Sequence, residues 1–328
     1  MTSGESAGNN IPIVFAVNDN YVKYVSVTIT SIIRHKNKTD QYLIYIFHRD
    51  ISAVHQEQLA QMSADNLQIE CIDVNGKIDR SLLYVDGRIT EETYYRILIP
   101  NILSQWDKVI YLDSDLICLS DIAPMLSVDM GTNEIAGVIT VGNENRAEYT
   151  IEHLGIPSEN YINAGVLIFN NAVLRQKPFL QECYRLLKEK KYLKWHDQDL
   201  LNTLCFGRIY FLDPKWNTTV LRLVKERDYS SEREVQKKDL DCCIIHYASV
   251  KPWKSEMREV TLPFWECVYA TTFTHDIISA YDEIGDTKRH FKDMCAKGSI
   301  SLGLIFQCLI AGLKNRIKKK RGKDSENK

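Results

Sequence analysis

The sequence predicts an α/β fold, a mostly parallel sheet with flanking helices, followed by a helical C-terminal appendage. Three observations carry this. Short apolar runs of strand type alternate with stretches whose apolar residues recur at helical spacing. That alternation is the pattern of parallel strands joined by crossover helices. A buried-type run at residues 109–112 also ends directly on two acids, as strands do where a sheet opens onto a site.

In order, residues 11–17 read as a strand and 21–33 as a helix; 42–47 as a strand, 52–62 as a helix and 67–74 as a strand. Residues 91–99 read as a helix stopped at Pro100, because proline lacks the amide that would continue it. The run 109–112 leads into Asp113. Residues 165–169 and 242–246 are further strands, and 172–193 and 198–204 are helical by spacing. The polar, aperiodic stretch 215–240 is expected to be a long loop or lid. Beyond Pro263 the chain is expected to be mixed helix carrying Trp265, Tyr269 and Phe273. The expected division is a catalytic domain over 11–255 and an appendage over 256–328.

The chain has 328 residues, 45% of them hydrophobic, enough to bury a sizeable core. A net charge of −2 gives no reason to expect nucleic acid as a partner. Charge is uneven, however. Residues 314–328 hold eight basic and two acidic side chains, net +6, which leaves −8 on the remainder. Nine cysteines form no C-x-x-C pair, and the N-terminus lacks the layout of a signal peptide, so reduced thiols and a cytoplasmic location are expected. The N-x-T sequons at Asn37 and Asn217 would matter only in a secretory compartment.

Asp113-Ser114-Asp115 is the first candidate site. Alternate residues of an extended chain point the same way, and two carboxylates on one side suit a hard divalent cation. Alone the motif is weak, since D-x-D also occurs at 197/199 and 239/241. Its place after a buried strand is what distinguishes it, because two acids there are costly without a cation or donors. His246 follows another apolar run and could be a third ligand, although a buried histidine satisfied by backbone has the same signature. Acids at 197 and 199 also suit a helix N-terminus, and Tyr94, Tyr95 and Trp253 read equally as core or as site walls. There is no G-x-G-x-x-G after the first strand and no G-x-x-x-x-G-K-[ST], which argues against a dehydrogenase or phosphotransferase.

Six segments taken together resemble the retaining glycosyltransferases of family eight: IVFAVNDNY at 13–21, YYR at 94–96, YLDSD at 111–115, YINAGV at 161–166, HDQDLLN at 196–202 and HYASVKPW at 246–253. That family includes lipopolysaccharide galactosyl- and glucosyltransferases and glycogenin. The resemblance implies a nucleotide-sugar-binding, Rossmann-like domain of the GT-A type. It implies that Asp113, Asp115 and His246 hold Mn²⁺, with Mg²⁺ as the alternative, and that Lys251 contacts phosphate. Ala16, Asn18, Asn20 and Tyr21 would form the uridine pocket, with Tyr21 stacking on the base. Asn18 departs from the aspartate common in the family, and its amide oxygen can still accept from the uracil imide. Ser114, Arg96, Asn163 and Ala164 would join the donor site, and Asp197 and Gln198 donor binding and catalysis. Residues 143–146 fall where relatives contact acceptor, but the local sequence differs too much to transfer roles.

The implied activity is transfer of glucose or galactose from a UDP-sugar to a glycan or lipid-linked acceptor in bacterial surface polysaccharide synthesis. The alternative is a non-catalytic nucleotide-sugar-binding protein of the same fold. Leu302, Ile305, Phe306, Leu309, Ile310, Leu313 and Ile317 share one helical face, followed by seven basic residues from Lys314 to Lys323. This predicts peripheral attachment to an anionic membrane surface at the inner face of the cytoplasmic membrane. A helix packed on the main domain with a solvated tail is the plainer alternative.

Overall fold

The computed structural model describes residues 8–85, 90–140, 144–190, 192–225, 242–248, 251–254 and 258–282. The apolar face and basic run expected over 302–323 lie outside the described residues, as does 226–240 of the expected lid. The chain divides into two compact units, Met1–Ser249 and Val250–Lys328.

The first unit is built on a seven-stranded sheet of order β3-β2-β1-β4-β7-β6-β8. β1 (Asn10–Ala16), β2 (Gln41–His48), β3 (Leu67–Asp73) and β4 (Lys108–Leu112) run parallel. β1, β2 and β4 are apolar runs buried on both faces, as parallel strands covered by helices must be, whereas β3, at the sheet edge, alternates with exposed Gln68 and Glu70. A second, three-stranded sheet places β10 (Ile244–His246) between β5 (Leu116–Cys118) and the two-residue β9 (Thr218–Thr219). In the main sheet, β7 (Ile162–Asn170) is antiparallel to both β4 and β6 (Ile135–Ile139), and β8 (Ile209–Phe211) is parallel to β6. The sheet is therefore mostly parallel, as the sequence predicts. Because β7 runs backwards, its first residues reach the edge where β4 ends.

α1 (Val22–His35) follows a 3-10 turn at Asp19–Tyr21 and buries Val22, Val25, Ile29 and Ile32 at helical spacing. It also buries hydroxyls with defined partners. Thr28 donates to the carbonyls of Ser114 and Leu116 at 3.1 and 2.8 Å, and Ser31 accepts from the Cys118 amide at 2.9 Å. These bonds tie the helix to β5, the edge strand of the small sheet among the described residues. α2 (Ala53–Ala60) is capped by Ser52, which accepts from His55 N.

Residues 91–99 differ from expectation. Glu91–Leu98 is a 3-10 helix, and Pro100 does not stop it but lies in the first turn of α3 (Ile99–Ile102). There its missing amide leaves no bond unmade. The helix expected over 172–193 is two helices, α4 (Asn171–Leu174) and α5 (Phe179–Glu189), parted at Pro178, where ring and missing amide interrupt the ladder. α6 (His196–Leu204) follows. The stretch expected as a loop from 215 begins instead with a 3-10 turn (Pro214–Asn217), β9 and α7 (Val220–Lys225).

Tyr94 and Tyr95 are fully buried core aromatics. In the second unit, α8 (Arg258–Val268) and α9 (Thr274–Asp282) bury Phe264, Trp265, Phe273 and Ile277, and Trp253 packs on Phe264 with ring centres 5.6 Å apart.

Candidate active site

The site forms where β4 ends. The Asp113 amide donates to Gly165 O at 2.8 Å, the last rung before the strand gives way to Ser114 and β5. β10 pairs with β5 so that His246 lies opposite Leu116, and Tyr247 N donates to Asp115 O at 2.9 Å. The small sheet thus carries a histidine from 131 positions downstream of Asp115 to the two carboxylates.

His246 Nε2 lies 3.6 Å from Asp113 Oδ2 and 3.4 Å from Asp115 Oδ1, and the three donor atoms fall within 4.8 Å of one another. Those separations exceed a good hydrogen bond. They suit oxygen and imidazole donors gathered round one divalent cation, whose neighbouring ligands stand roughly 3 Å apart when each is about 2.1 Å from the ion. Gly165 makes the approach possible, since a Cβ there would stand 2.6 Å from Asp113 Oδ2 and 2.2 Å from His246 Cε1.

The other oxygen of Asp113 is held on the protein side, accepting from Arg96 Nη2 and from the Tyr111 hydroxyl, both at 3.0 Å. Arg96 is buried; its guanidinium lies over the Tyr111 ring and also bonds Ala164 O, Thr93 O (2.8 Å) and Asp197 (3.1 Å). Burial works against its charge, but Asp197, Tyr111 and Asp113 outweigh it and push the group above its ordinary value. Burial pushes the Asp197 carboxyl up to about 6, with Arg96 pulling it back and Asp113 adding to the rise.

Asp199 points elsewhere. It accepts from the Tyr149 hydroxyl at 2.8 Å, Trp195 N at 2.9 Å and the Tyr161 hydroxyl. It is structural, and neither it nor Asp197 joins the Asp113-Asp115-His246 cluster. His196, the first residue of α6, takes φ 46°, a conformation costly for a non-glycine residue that turns the chain sharply into the helix. Its ring stacks on Tyr84, centroids 5.5 Å apart.

Gln198 Oε1 accepts from Ala164 N at 3.0 Å and Asn163 Nδ2 at 3.1 Å, while its Nε2 donates to the Tyr161 hydroxyl at 3.0 Å. Asn163 Oδ1 accepts from Gly165 N at 3.0 Å and Asn217 Nδ2 at 2.8 Å. Asn217 Oδ1 lies 2.9 Å from His246 Nδ1. Asn217 is 2% exposed with both amide atoms engaged, so the sequon read there serves the fold and not a glycan.

β1 pairs with β4, so the loop after Ala16 stands beside Asp113. Asp19 pins it to the start of α2, accepting from Ser52 N at 2.8 Å and contacting His55 Nδ1 at 2.7 Å. Tyr21 is 36% exposed, Asn20 is exposed, and Asn18 Oδ1 is buried and accepts no hydrogen bond within the described residues. Arg146 lies over the Trp195 ring at 4.7 Å; Asn143 is outside the described residues. Lys251 belongs to the second unit, just before its 3-10 turn at Pro252–Lys254. Sequence reasoning missed the roles of Asn217, visible only as a sequon, and of Tyr111, visible only as part of the apolar run before Asp113.

The fold is that of glycosyltransferases: the structure of galactosyltransferase LgtC, solved with donor and acceptor sugar analogs, superposes with a TM-score of 0.68 over 80% of this chain and 96% of that one, at 22% identity. Residues 12–257 match the profile described as Glycosyl transferase family 8, and the chain belongs to that family. General stress protein A of Bacillus subtilis is 24% identical over 75% of this chain and 88% of its own length. The lipopolysaccharide glucosyltransferase WaaO of Escherichia coli K12 is 27% identical over 74% and 72%.

Proposed function

We propose that the protein is a Mn²⁺-dependent retaining hexosyltransferase that takes glucose or galactose from a UDP-sugar. Its acceptor is a glycan or lipid-linked sugar of a bacterial surface polysaccharide. The observation that carries this is the convergence of Asp113, Asp115 and His246 from two distant segments onto one point. Family membership and the lipopolysaccharide relatives support the substrate class.

A divalent cation held there supplies positive charge against the diphosphate as the glycosidic bond breaks. Lys251 adds a second charge to the phosphates. Asn18 offers its buried oxygen, which has no donor among the described residues, to the uracil imide, as such a pocket requires. Ala16, Asn20 and Tyr21 complete the base pocket, with Tyr21 exposed enough to stack. Ser114 belongs to the donor site through its place between the two acids. Arg96, Asn163 and Ala164 hold the donor sugar, and Asp197 and Gln198 face the reacting carbon from a rigid hydrogen-bonded frame. In the same reading, residues 302–323 rest on anionic membrane; among the described residues no helix is long and apolar enough to cross one.

The test is a panel of UDP-sugars assayed for Mn²⁺-dependent hydrolysis, which needs no acceptor. One sugar should be cleaved and the product linkage should retain its anomeric configuration by NMR. An inverted product would overturn the retaining assignment, and no hydrolysis or transfer with any UDP-sugar would overturn the donor.

A further inference from the structure

The state of His246 follows from neighbouring groups whose hydrogen-bonding role is fixed. Two backbone amides provide that. Ala164 N can only donate, so the atom of Gln198 it meets must be the carbonyl oxygen. Gly165 N can only donate, so the atom of Asn163 it meets is also the oxygen. The Asn163 amide nitrogen then faces Gln198 Oε1, consistent with the first assignment. The far end agrees, since the Asp199 carboxylate accepts from the Tyr161 hydroxyl, whose oxygen accepts from Gln198 Nε2.

The order now propagates in one direction. Asn163 Oδ1 can be met by Asn217 only with a donor, so Asn217 turns its nitrogen to Asn163 and its oxygen to His246. An amide oxygen at 2.9 Å from His246 Nδ1 requires a proton on that nitrogen. In the neutral ring Nε2 is left bare, and it is the atom facing Asp113 and Asp115.

We propose that Asn217 is a positioning residue that fixes His246 in the Nδ1–H tautomer, aims its Nε2 lone pair at the cation, and through Asn163 ties that ligand to Gln198. This rests on the reading of Asp113, Asp115 and His246 as a metal site. An amide that orients a ligating imidazole raises metal affinity by removing the wrong tautomer and rotamer, and losing such a partner costs about 10- to 100-fold in affinity. Both polar atoms of Asn217 are used, so its two functions can be separated. Asn217→Ala removes acceptor and donor together. Asn217→Asp keeps an acceptor for Nδ1–H but sets a carboxylate oxygen against Asn163 Oδ1.

The experiment uses the full chain. Mn²⁺ binding is measured by calorimetry without donor for wild type, Asn217→Ala, Asn217→Asp and Asp113→Ala. The metal-free His246 tautomer is read from long-range ¹⁵N–¹H NMR, the resonance being assigned by its loss in His246→Ala. We expect Nδ1–H in wild type, a mixture in Asn217→Ala with Mn²⁺ affinity lower by about 10- to 100-fold, and near wild-type affinity in Asn217→Asp. With Mn²⁺ saturating, Asn217→Asp should still lower kcat for UDP-sugar hydrolysis, through Gln198. Should Asn217→Ala not fold, the tautomer in wild type and the split between affinity and kcat in Asn217→Asp decide alone. An Nε2–H wild-type ring, or Asn217→Ala binding Mn²⁺ as wild type does while Asp113→Ala does not, overturns the positioning role and leaves the metal site standing. Wild type that binds no Mn²⁺ overturns the metal reading itself.

Discussion

Gly165 and His246 stand so close that any side chain at 165 would occupy the ring's place: the nearest ring carbon is 2.2 Å from where a Cβ would be built. Gly165→Ala must displace the imidazole or spread β7 from β4. We expect Mn²⁺ affinity to fall at least tenfold and stability to fall by about 1–3 kcal/mol, the usual cost of overpacking. Calorimetric titration with urea unfolding checks both; unchanged affinity would refute the close approach.

Asp113→Ala and Asp115→Ala should each abolish Mn²⁺-dependent donor hydrolysis, and EDTA should do the same to wild type, reversibly on adding Mn²⁺. Turnover near wild type in either variant would sink the metal assignment.

Arg96 compensates two carboxylates from a fully buried position. Arg96→Met leaves Asp197 buried without its counter-charge, and unfolding by urea should show a loss of about 3–5 kcal/mol. A loss under 1 kcal/mol would mean that the pair is balanced by its desolvation.

Asp197 gives stability a pH dependence. Its folded value of about 6 lies above the ordinary value of about 3.9, so the stability it contributes is complete below about pH 4 and lost as pH rises through about 6. Relative to Asp197→Asn, the metal-free wild type should therefore lose about 2–3 kcal/mol between roughly pH 4 and pH 8. Parallel urea midpoints for the two proteins across that range would contradict the raised value.

Removing residues 302–328 should release the protein from vesicles of anionic lipid at low salt and leave UDP-sugar hydrolysis intact. Failure of the full chain to co-sediment would end the membrane reading.

The parallel half of the sheet was legible because β1, β2 and β4 are apolar runs and β3 alternates apolar with polar residues, and Asp113 was legible because an apolar run ended on it. The breaks were not. Periodicity continues across Lys177-Pro178, and only the proline marks where α4 and α5 part. Of the small sheet only the histidine strand was legible, within the apolar run 242–246; Thr218 and Thr219 become a strand only because Ile245 and His246 arrive beside them. Asn217 was visible solely as a sequon, since its partners, Asn163 and His246, lie 54 and 29 positions away.

The hydroxyl of Thr28 lies six residues past Val22, where α1 begins directly after Tyr21, and it grips the carbonyls on either side of Asp115. Helix α1 therefore behaves as a lever with the loop 16–21, proposed above to hold the base, at one end and the acid pair fastened along its shaft. Redesigning nucleobase preference by rebuilding residues 16–21 would tilt that shaft, so a variant that accepts a larger base should pay in cation geometry unless the Thr28 anchor is retuned with it. In the proposed reading, changing the base therefore means changing the whole helix with its hydroxyls, not the loop alone.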